Sequence, residues 1–365
     1  MWKTTEGSTG RLLQLCTGYY LVYIVTGLVV KAFTAAPHTP MGTPPMNAIA
    51  FLGYNTLGAN LTCLVPVLVL GWFRLRSVRT LRVAGLELPS ELLYIIPSGI
   101  FTAVIIPTTT LMYTLPISVM VAMVIMRASV IVIGRVVDGL QIAQGILLKR
   151  IYWEENAAVA FAVLAACIEL FGSHTGGFAF LRNRAAVIIF SSYIVAYAIR
   201  IYIMNYFKNT RPKGAPLDNT GFFGLEQISA SMAMVLMALT VYYGPRTFPS
   251  WLSAPQVVDF ITAIQVPVPG WQWAAFSGIA FGLVAFFSVF IFMFKGRTAT
   301  FTGLMNRLTS LVAGTTATLV GHWFFRSKLP SLQNWISLGF VLVAVVFLAR
   351  AERRRALELK LAQEI

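Results

Sequence analysis

Residues 271–294 read WQWAAFSGIAFGLVAFFSVFIFMF, a run of 24 residues without a single Asp, Glu, Lys or Arg. A helix needs about 20 mostly apolar residues to cross the hydrocarbon core of a bilayer. Reading outward from this run, we find nine more mostly apolar runs, most of them with one or two charged residues, at 12–33, 46–73, 91–113, 116–137, 156–173, 185–207, 221–243, 298–321 and 332–350. The pattern predicts an all-α polytopic membrane protein of about ten transmembrane helices. Short interfacial helices are an additional option in the stretch 244–270.

The composition agrees with this fold class. Hydrophobic residues make up 57% of the chain and charged residues 11%, whereas soluble domains are about 45–50% apolar and about 25% charged. A net charge of +15 would favour nucleic acid as the partner of a soluble chain. Here the cations cluster between apolar runs, so we expect a lipid bilayer as the partner and no nucleic acid. The three Cys and three His show no metal-ligand spacing, and we expect neither metal nor cofactor.

The distribution of Lys and Arg predicts the orientation. With both termini in the cytoplasm, eighteen of these residues lie on the cytoplasmic side and five or six on the other. Cytoplasmic loops carry an excess of Lys and Arg, so both termini are predicted to be cytoplasmic. An inner plasma membrane and a Golgi- or ER-type endomembrane both remain open as the location.

An internal repeat relates the two halves of the chain. Five short matches occur in the same order at offsets of 171 to 180 residues: Phe51-Leu-Gly-Tyr-Asn55 with Phe222-Phe-Gly-Leu-Glu226, Ser98-Gly-Ile with Ser277-Gly-Ile, Met126-Arg127 with Asn306-Arg307, Tyr19 and Tyr23 with Tyr193 and Tyr197, and Glu155-Asn156 with Gln333-Asn334. With five helices per half, the second half must be inverted in the membrane. We therefore expect a first repeat at 1–173, an inverted second repeat at 185–350 and a basic cytoplasmic tail at 351–365. Inverted repeats are typical of alternating-access transporters, whose substrate site lies near the midplane between the halves.

The last two runs carry a resemblance to a known family. Residues 298–307 read Thr-Ala-Thr-Phe-Thr-Gly-Leu-Met-Asn-Arg, and a Gly/Ala-rich run, Phe324-Phe325 and Leu329-Pro330 follow. Together with ten helices in two halves, this resembles the drug/metabolite transporter superfamily, which includes EamA-like proteins and nucleotide-sugar transporters. In the nucleotide-sugar branch a Leu-Asn-Lys element at this place contributes to the substrate pocket. The resemblance implies the same role for Asn306 and Arg307. The seventh run departs from that branch, with Gly224-Leu-Glu-Gln in place of a Phe-Tyr-Asn-Asn motif.

Polar residues inside the apolar runs are the candidate site. Charges in the hydrocarbon region are costly and normally face a cavity or a partner. Tyr193, Tyr197 and Arg200 stand at i, i+4 and i+7, so they share one face of a helix, and Tyr19, Tyr23 and Thr26 form the matching face in the first half. The tyrosine rings can stack on a solute while their hydroxyls bond to it. The candidate substrate-binding residues are Tyr19, Tyr23, Asn55, Arg127, Tyr193, Tyr197, Arg200, Glu226, Gln227, Asn306 and Arg307.

The charge balance of these residues favours an anionic substrate. Arg127, Arg200 and Arg307 outnumber Glu226, even when Glu169 is added. The planar fork of an arginine matches carboxylate or phosphate. A structural reading stays open, in which Arg127 or Arg307 pairs with Glu226 and only locks helices together.

These observations predict a secondary transporter that moves a small polar, anionic metabolite by alternating access. A nucleotide sugar or another phosphorylated or carboxylated solute would fit. The alternatives on the same fold are a flippase for a lipid-linked sugar and an exporter of amino acids or drugs. An enzyme is not expected, because neither a metal cluster, a nucleophile with its base, nor a Gly-rich phosphate loop is found in the sequence. The sequence leaves open whether the chain forms a homodimer.

Overall fold

The structure, a computed structural model, describes residues 8–34, 45–77, 80–83, 86–114, 119–147, 151–172, 184–212, 217–325 and 332–361. The described residues are almost entirely helical. The helices are α1 (Thr9–Thr34), α2 (Ala48–Val69), α3 (Leu92–Thr114), α4 (Val119–Ala143), α5 (Trp153–Gly172), α6 (Arg184–Asn209), α7 (Asn219–Thr247), α8 (Pro255–Gln265), α9 (Trp271–Phe292), α10 (Ala299–Phe325) and α11 (Leu332–Leu361).

Within these described ranges, seven helices are long and apolar enough to cross a membrane. They are Thr9–Thr34, Ala48–Val69, Leu92–Met112, Ala186–Asn209, Asn219–Thr247, Trp271–Phe292 and Trp335–Arg355. This is consistent with the predicted all-α, multi-pass membrane protein. Helices α4, α5 and α10 overlap the three other predicted runs.

Two connections contain secondary structure of their own. Between α2 and α3, strands β1 (Thr80–Val83) and β2 (Leu86–Pro89) form an antiparallel hairpin in which Arg82 lies opposite Glu87. Between α7 and α9, a 3-10 turn (Pro249–Ser253) precedes the short helix α8. The predicted option of short helices within 244–270 is thus realised by this turn and by α8.

Side-chain caps determine where several helices begin. Asn47 accepts a hydrogen bond from the amide of Ile49 at 2.8 Å at the start of α2. Asp218 accepts one from the amide of Gly221 at 2.9 Å at the start of α7. Partial burial acts to raise the pKa of Asp218, but hydrogen bonds from the amides of Arg76 and Gly221 outweigh it, so this pKa lies below its usual value. Carboxylates are favoured at helix N-termini, where unpaired amides and the helix dipole attract negative charge.

Helix packing brings elements from the two halves of the sequence together. Helix α2 packs along α9, and α3 packs along α7. Helix α1 lies against α9 and α10, whereas α6 lies against α3 and α4. The remaining large contacts join α4 to α10 and α5 to α11.

Glycines allow two of these crossings to be close. A Cβ atom at Gly278 of α9 would overlap the main-chain oxygen of Asn55 in α2, and one at Gly99 of α3 would overlap the main-chain oxygen of Glu226 in α7. Small residues let helix backbones approach closely in membranes, where packing rather than hydrophobic burial holds helices together. Both crossings therefore depend on the absence of a side chain at these two positions.

Candidate functional site

Arg307 is the most deeply placed cation of the site. It lies on α10 with 2% of its surface exposed. Its guanidinium carbon is 4.8 Å from the ring centre of Tyr197 and 5.8 Å from that of Phe292. Within the described part of the chain, its Nε and Nη2 atoms have no hydrogen-bond partner, and no carboxylate forms a salt bridge with it. Buried donors without partners are costly, more so on a charged group, and none of the described residues accepts a hydrogen bond from these two atoms.

Arg127 makes a matching arrangement on α4. It is 6% exposed and donates a hydrogen bond from Nη2 to the hydroxyl of Tyr23. Its guanidinium carbon lies 5.1 Å from the ring centre of Tyr23. Each half of the chain therefore supplies one buried arginine that rests on a tyrosine ring, an arrangement favoured by the negative face of the ring.

Four tyrosines join these two arginines into one group. The rings of Tyr19 and Tyr23 are 5.4 Å apart, and those of Tyr193 and Tyr197 are 4.7 Å apart. The hydroxyls of Tyr19 and Tyr193 both interact electrostatically with Arg127 and with Arg307. We refer to Tyr19, Tyr23, Arg127, Tyr193, Tyr197 and Arg307 as the tyrosine–arginine cluster. The structure thus brings together six of the predicted site residues, contributed by α1, α4, α6 and α10.

Arg200 and Glu226 form a separate buried ion pair beside this cluster. Arg200 donates from Nε and Nη2 to the two carboxylate oxygens of Glu226 at 2.8 and 2.9 Å. Ser98 and Thr102 of α3 donate their hydroxyls to Oε1 of the same carboxylate at 2.6 and 3.2 Å. Glu226 therefore pairs with Arg200. The two pairings left open by the sequence, with Arg127 and with Arg307, are not formed. Two of the three predicted arginines remain in the cluster.

The three predicted amide residues lie in contacts between helices. Asn55 donates to the hydroxyl of Ser277 at 2.8 Å, Gln227 to the side-chain oxygen of Asn60 at 2.6 Å, and Asn306 to the hydroxyl of Ser288 at 3.1 Å. Asn306 borders the cluster, because Ser288 lies one helical turn from Phe292, which contacts Arg307. The structure places Asn55 and Gln227 in helix–helix hydrogen bonds outside the cluster. Glu169 lies outside the residues whose side chains the structure describes.

Sequence reasoning missed three contributors. The hydroxyls of Ser98 and Thr102 were overlooked as ligands of Glu226, although Ser98 belongs to a repeat match. Asp138, which directly follows the predicted run 116–137, is fully buried and accepts hydrogen bonds from the amides of Ala299 and Thr300 at 2.8 and 2.6 Å. It thereby caps α10, the helix that carries Arg307. The available signal for this role was a carboxylate directly after a predicted run.

Metal-ligating residues do not gather in the part of the chain that the structure describes. No group of three or more His, Cys, Asp or Glu side chains is found there that could hold a metal ion. The side chains of the cluster are guanidinium and phenol groups, with the amide of Asn306 beside them, and such groups bind by charge, stacking and hydrogen bonds.

Comparison with known proteins bears on the fold alone. No family model and no curated protein matches the chain. Chains of solved structures do match it. One of them, described only as a crystal structure of a protein, superposes with a TM-score of 0.56 at 14% sequence identity, over 95% of this chain and 99% of the other. At this identity the likeness shows that the overall fold is shared.

Proposed function

We propose that this chain is a secondary transporter that moves a small polar organic anion across a membrane by alternating access. It is not an enzyme in this proposal, and its architecture is that of the drug/metabolite transporter superfamily. The observation that carries the proposal is Arg307, a buried guanidinium with two nitrogen donors that lack a partner among the described residues. A transported anion is the acceptor that would complete this site and later leave it.

The pattern of helix packing supports an inverted repeat. In the proposed repeat, α1 to α5 correspond in order to α6, α7, α9, α10 and α11. Under that correspondence, the α2–α9 contact becomes α7–α3, α1–α9 becomes α6–α3, and α1–α10 becomes α6–α4. The α4–α10 and α5–α11 contacts map onto themselves. A twofold relation between two five-helix halves, with ten spans in total, accounts for all of these pairings at once.

Individual contacts follow the same relation. Arg127 on Tyr23 corresponds to Arg307 on Tyr197. The side chains of Asn55 and Ser277 are hydrogen-bonded, as are those of their counterparts Glu226 and Ser98. Because substrate sites of inverted-repeat transporters lie where the repeats meet, the tyrosine–arginine cluster is the proposed substrate site.

The charge of the cluster favours an anion over a cationic drug. Its two guanidinium groups are positive, its other four members are neutral phenols, and Glu226 is already neutralised by Arg200 at 2.8 Å. A guanidinium binds carboxylate, phosphate or sulfate with two parallel hydrogen bonds. The paired rings of Tyr193 and Tyr197 would cover the organic part of the solute.

The proposed orientation has both termini in the cytoplasm. It rests on the excess of Lys and Arg in the segments that would then face the cytoplasm. The β1–β2 hairpin would lie on the cytoplasmic side and α8 on the opposite side.

Uptake into vesicles tests the proposed function. Reconstituted protein should accumulate radiolabelled organic anions, chosen as pairs of carboxylates and phosphate esters, in preference to size-matched neutral and cationic solutes. A protein with Arg307→Met, checked for folding, serves as the control for leakage. Preference for cations, or equal uptake with Arg307→Met, would refute the proposal, whereas flipping of a lipid-linked sugar in the same vesicles would replace it.

A further inference from the structure

The second half of the molecule has a buried ion pair at a position where the first half has neutral side chains. Glu226 in α7 meets Arg200 of α6 and Ser98 of α3. The counterparts of these residues in the proposed repeat are Asn55, Thr26 and Ser277. Asn55 donates a hydrogen bond to Ser277 at 2.8 Å, and Thr26 donates one to the main-chain oxygen of Tyr23 on its own helix, at 2.7 Å.

The neutral crossing shows that packing does not need the charges. In both crossings a Cβ added to a glycine would overlap the main-chain oxygen of the facing residue, which is Asn55 for Gly278 and Glu226 for Gly99. Close approach of the backbones is thus achieved equally with an amide and with a carboxylate. A buried ion pair often stabilises a protein no more than uncharged residues of similar size, because both groups lose their hydration. The pair at Arg200 and Glu226 therefore has a role other than holding α3 against α7.

Arg200 binds Glu226 and also lies at the edge of the tyrosine–arginine cluster. It follows Tyr197 by three residues on the same face of α6, and it interacts electrostatically with the Tyr197 hydroxyl. Its guanidinium is thus a third cation at the edge of the cluster, held by a carboxylate that is 2% exposed. If Arg200 turns toward a bound anion, Glu226 keeps only the hydroxyls of Ser98 and Thr102.

A carboxylate left in this position would take up a proton. Desolvation disfavours the charged form of a buried acid once its cationic partner has gone. The charged and titratable groups that face Glu226 are Arg200 and, behind it, Tyr197, both on α6, since α3 offers hydroxyls and α2 meets α7 through Asn60 and Gln227. Within the described residues, Arg200 is therefore the cation that keeps Glu226 ionised.

We infer that Glu226 is the proton-binding site that couples anion transport to protons. One proton moves from water to the Glu226 carboxylate as Arg200 leaves it for the anion, and the same proton is released when the anion departs and the ion pair re-forms. Anion and proton then cross the membrane together. This inference rests on the proposed function, because it requires an anion at the cluster.

Calorimetry of anion binding tests this coupling. Sulfate and succinate, which stay ionised at slightly alkaline pH, are the probes, and binding is measured in two buffers with different heats of ionisation. The full-length protein should take up one proton for each anion bound. Glu226→Gln should still bind the anion but take up none. In proteoliposomes, an inward proton gradient should stimulate uptake by the unaltered protein and have no effect on Glu226→Gln.

A second variant keeps the test decisive if Glu226→Gln prevents the protein from folding by leaving the Arg200 guanidinium without its carboxylate partner. The double substitution Arg200→Thr with Glu226→Asn copies Thr26 and Asn55, a set that already packs in the first half. It should fold, bind sulfate or succinate more weakly because only Arg127 and Arg307 remain to hold the anion, and take up no proton. Anion binding without proton uptake by the unaltered protein would overturn the coupling and leave the proposed function standing, as would undiminished uptake of protons by either variant. If neither probe binds at all, the proposed function itself fails, and the coupling falls with it.

Discussion

At the scale of single residues, the guanidinium of Arg307 differs from a lysine ammonium in shape rather than in charge. Arg307→Lys should bind an anion roughly tenfold more weakly, because one of two charged hydrogen bonds is lost. Arg307→Met should weaken binding by roughly a hundredfold or more, since both bonds and the charge are gone. Calorimetry with sulfate and succinate measures both effects.

The matched control for this series is Arg82, which lies in the β1–β2 hairpin with 82% of its side chain exposed. Arg82→Lys and Arg82→Met should leave anion binding unchanged, since exposed charges contribute little at a distance in salt. A folded Arg307→Met protein with the affinity of the unaltered chain would exclude Arg307 from the site.

Helical spacing predicted which tyrosines and arginines share a face, but it could not predict how they pair. Tyr193, Tyr197 and Arg200 were found from their positions along one helix, because the 3.6-residue period is visible in the sequence. The partner of Glu226 depends on how neighbouring helices lie side by side and at which height they meet. The sequence analysis considered Arg127 and Arg307 as partners, but packing places Arg200 at 2.8 Å from this carboxylate.

At the scale of helices, the two glycine crossings give a direct test of packing. Gly99→Ala and Gly278→Ala should each destabilise the protein by about 1–3 kcal/mol, because the added methyl group overlaps a main-chain oxygen that cannot easily move. Gly339→Ala in α11 is the control, since a Cβ there meets nothing within 4 Å, and alanine favours a helix over glycine by about 1 kcal/mol. Unfolding in detergent micelles is the measurement. Equal stability of all three variants would mean that the crossings are looser than the structure indicates.

The cap on α10 gives a second test at this scale. Asp138→Ala removes the acceptor of the Ala299 and Thr300 amides and should cost about 0.5–2 kcal/mol. It should also weaken sulfate or succinate binding, because α10 then holds Arg307 less firmly. Asp138→Asn keeps an acceptor oxygen and should lose less.

Asn47 provides the comparison for this cap. Asn47→Ala removes the cap of α2, a helix that contributes no residue to the cluster, and should reduce stability without changing anion affinity. The same loss of affinity in Asp138→Ala and Asn47→Ala would show that the position of Arg307 does not depend on the cap.

Apolar run length predicted the positions of the long helices better than their ends. Helix α11 continues to Leu361, past the predicted end of its run at residue 350. The segment Ala351 to Leu361 has no Gly or Pro and is rich in helix-forming Ala, Glu, Arg, Lys and Leu. Its Glu352 is buried in a salt bridge with Arg297, just ahead of α10. A search for apolar runs stops at the first charges and cannot find a helix held by such contacts.

At the scale of the whole molecule, the proposed inverted repeat predicts the sides of two connections. The β1–β2 hairpin follows α2, and α8 follows α7, the counterpart of α2. Five proposed spans, α3 to α7, separate the two connections, so an odd number of crossings lies between them. The hairpin and α8 must then face opposite sides of the membrane.

Labelling of single cysteines decides this arrangement. Cys16, Cys63 and Cys167 are first replaced by Ala, and a cysteine is then introduced by Thr80→Cys in the hairpin or by Gln256→Cys in α8, both at exposed positions. A membrane-impermeant maleimide added to sealed cells should label the protein with Gln256→Cys at once, and the protein with Thr80→Cys only after permeabilisation, because the excess of Lys and Arg places the hairpin in the cytoplasm. Labelling of both from one side would mean an even number of spans between them, and the two halves could not then be inverted copies. Labelling on opposite sides with the hairpin outside would preserve the repeat and reverse the orientation, so the two parts of the prediction fail separately.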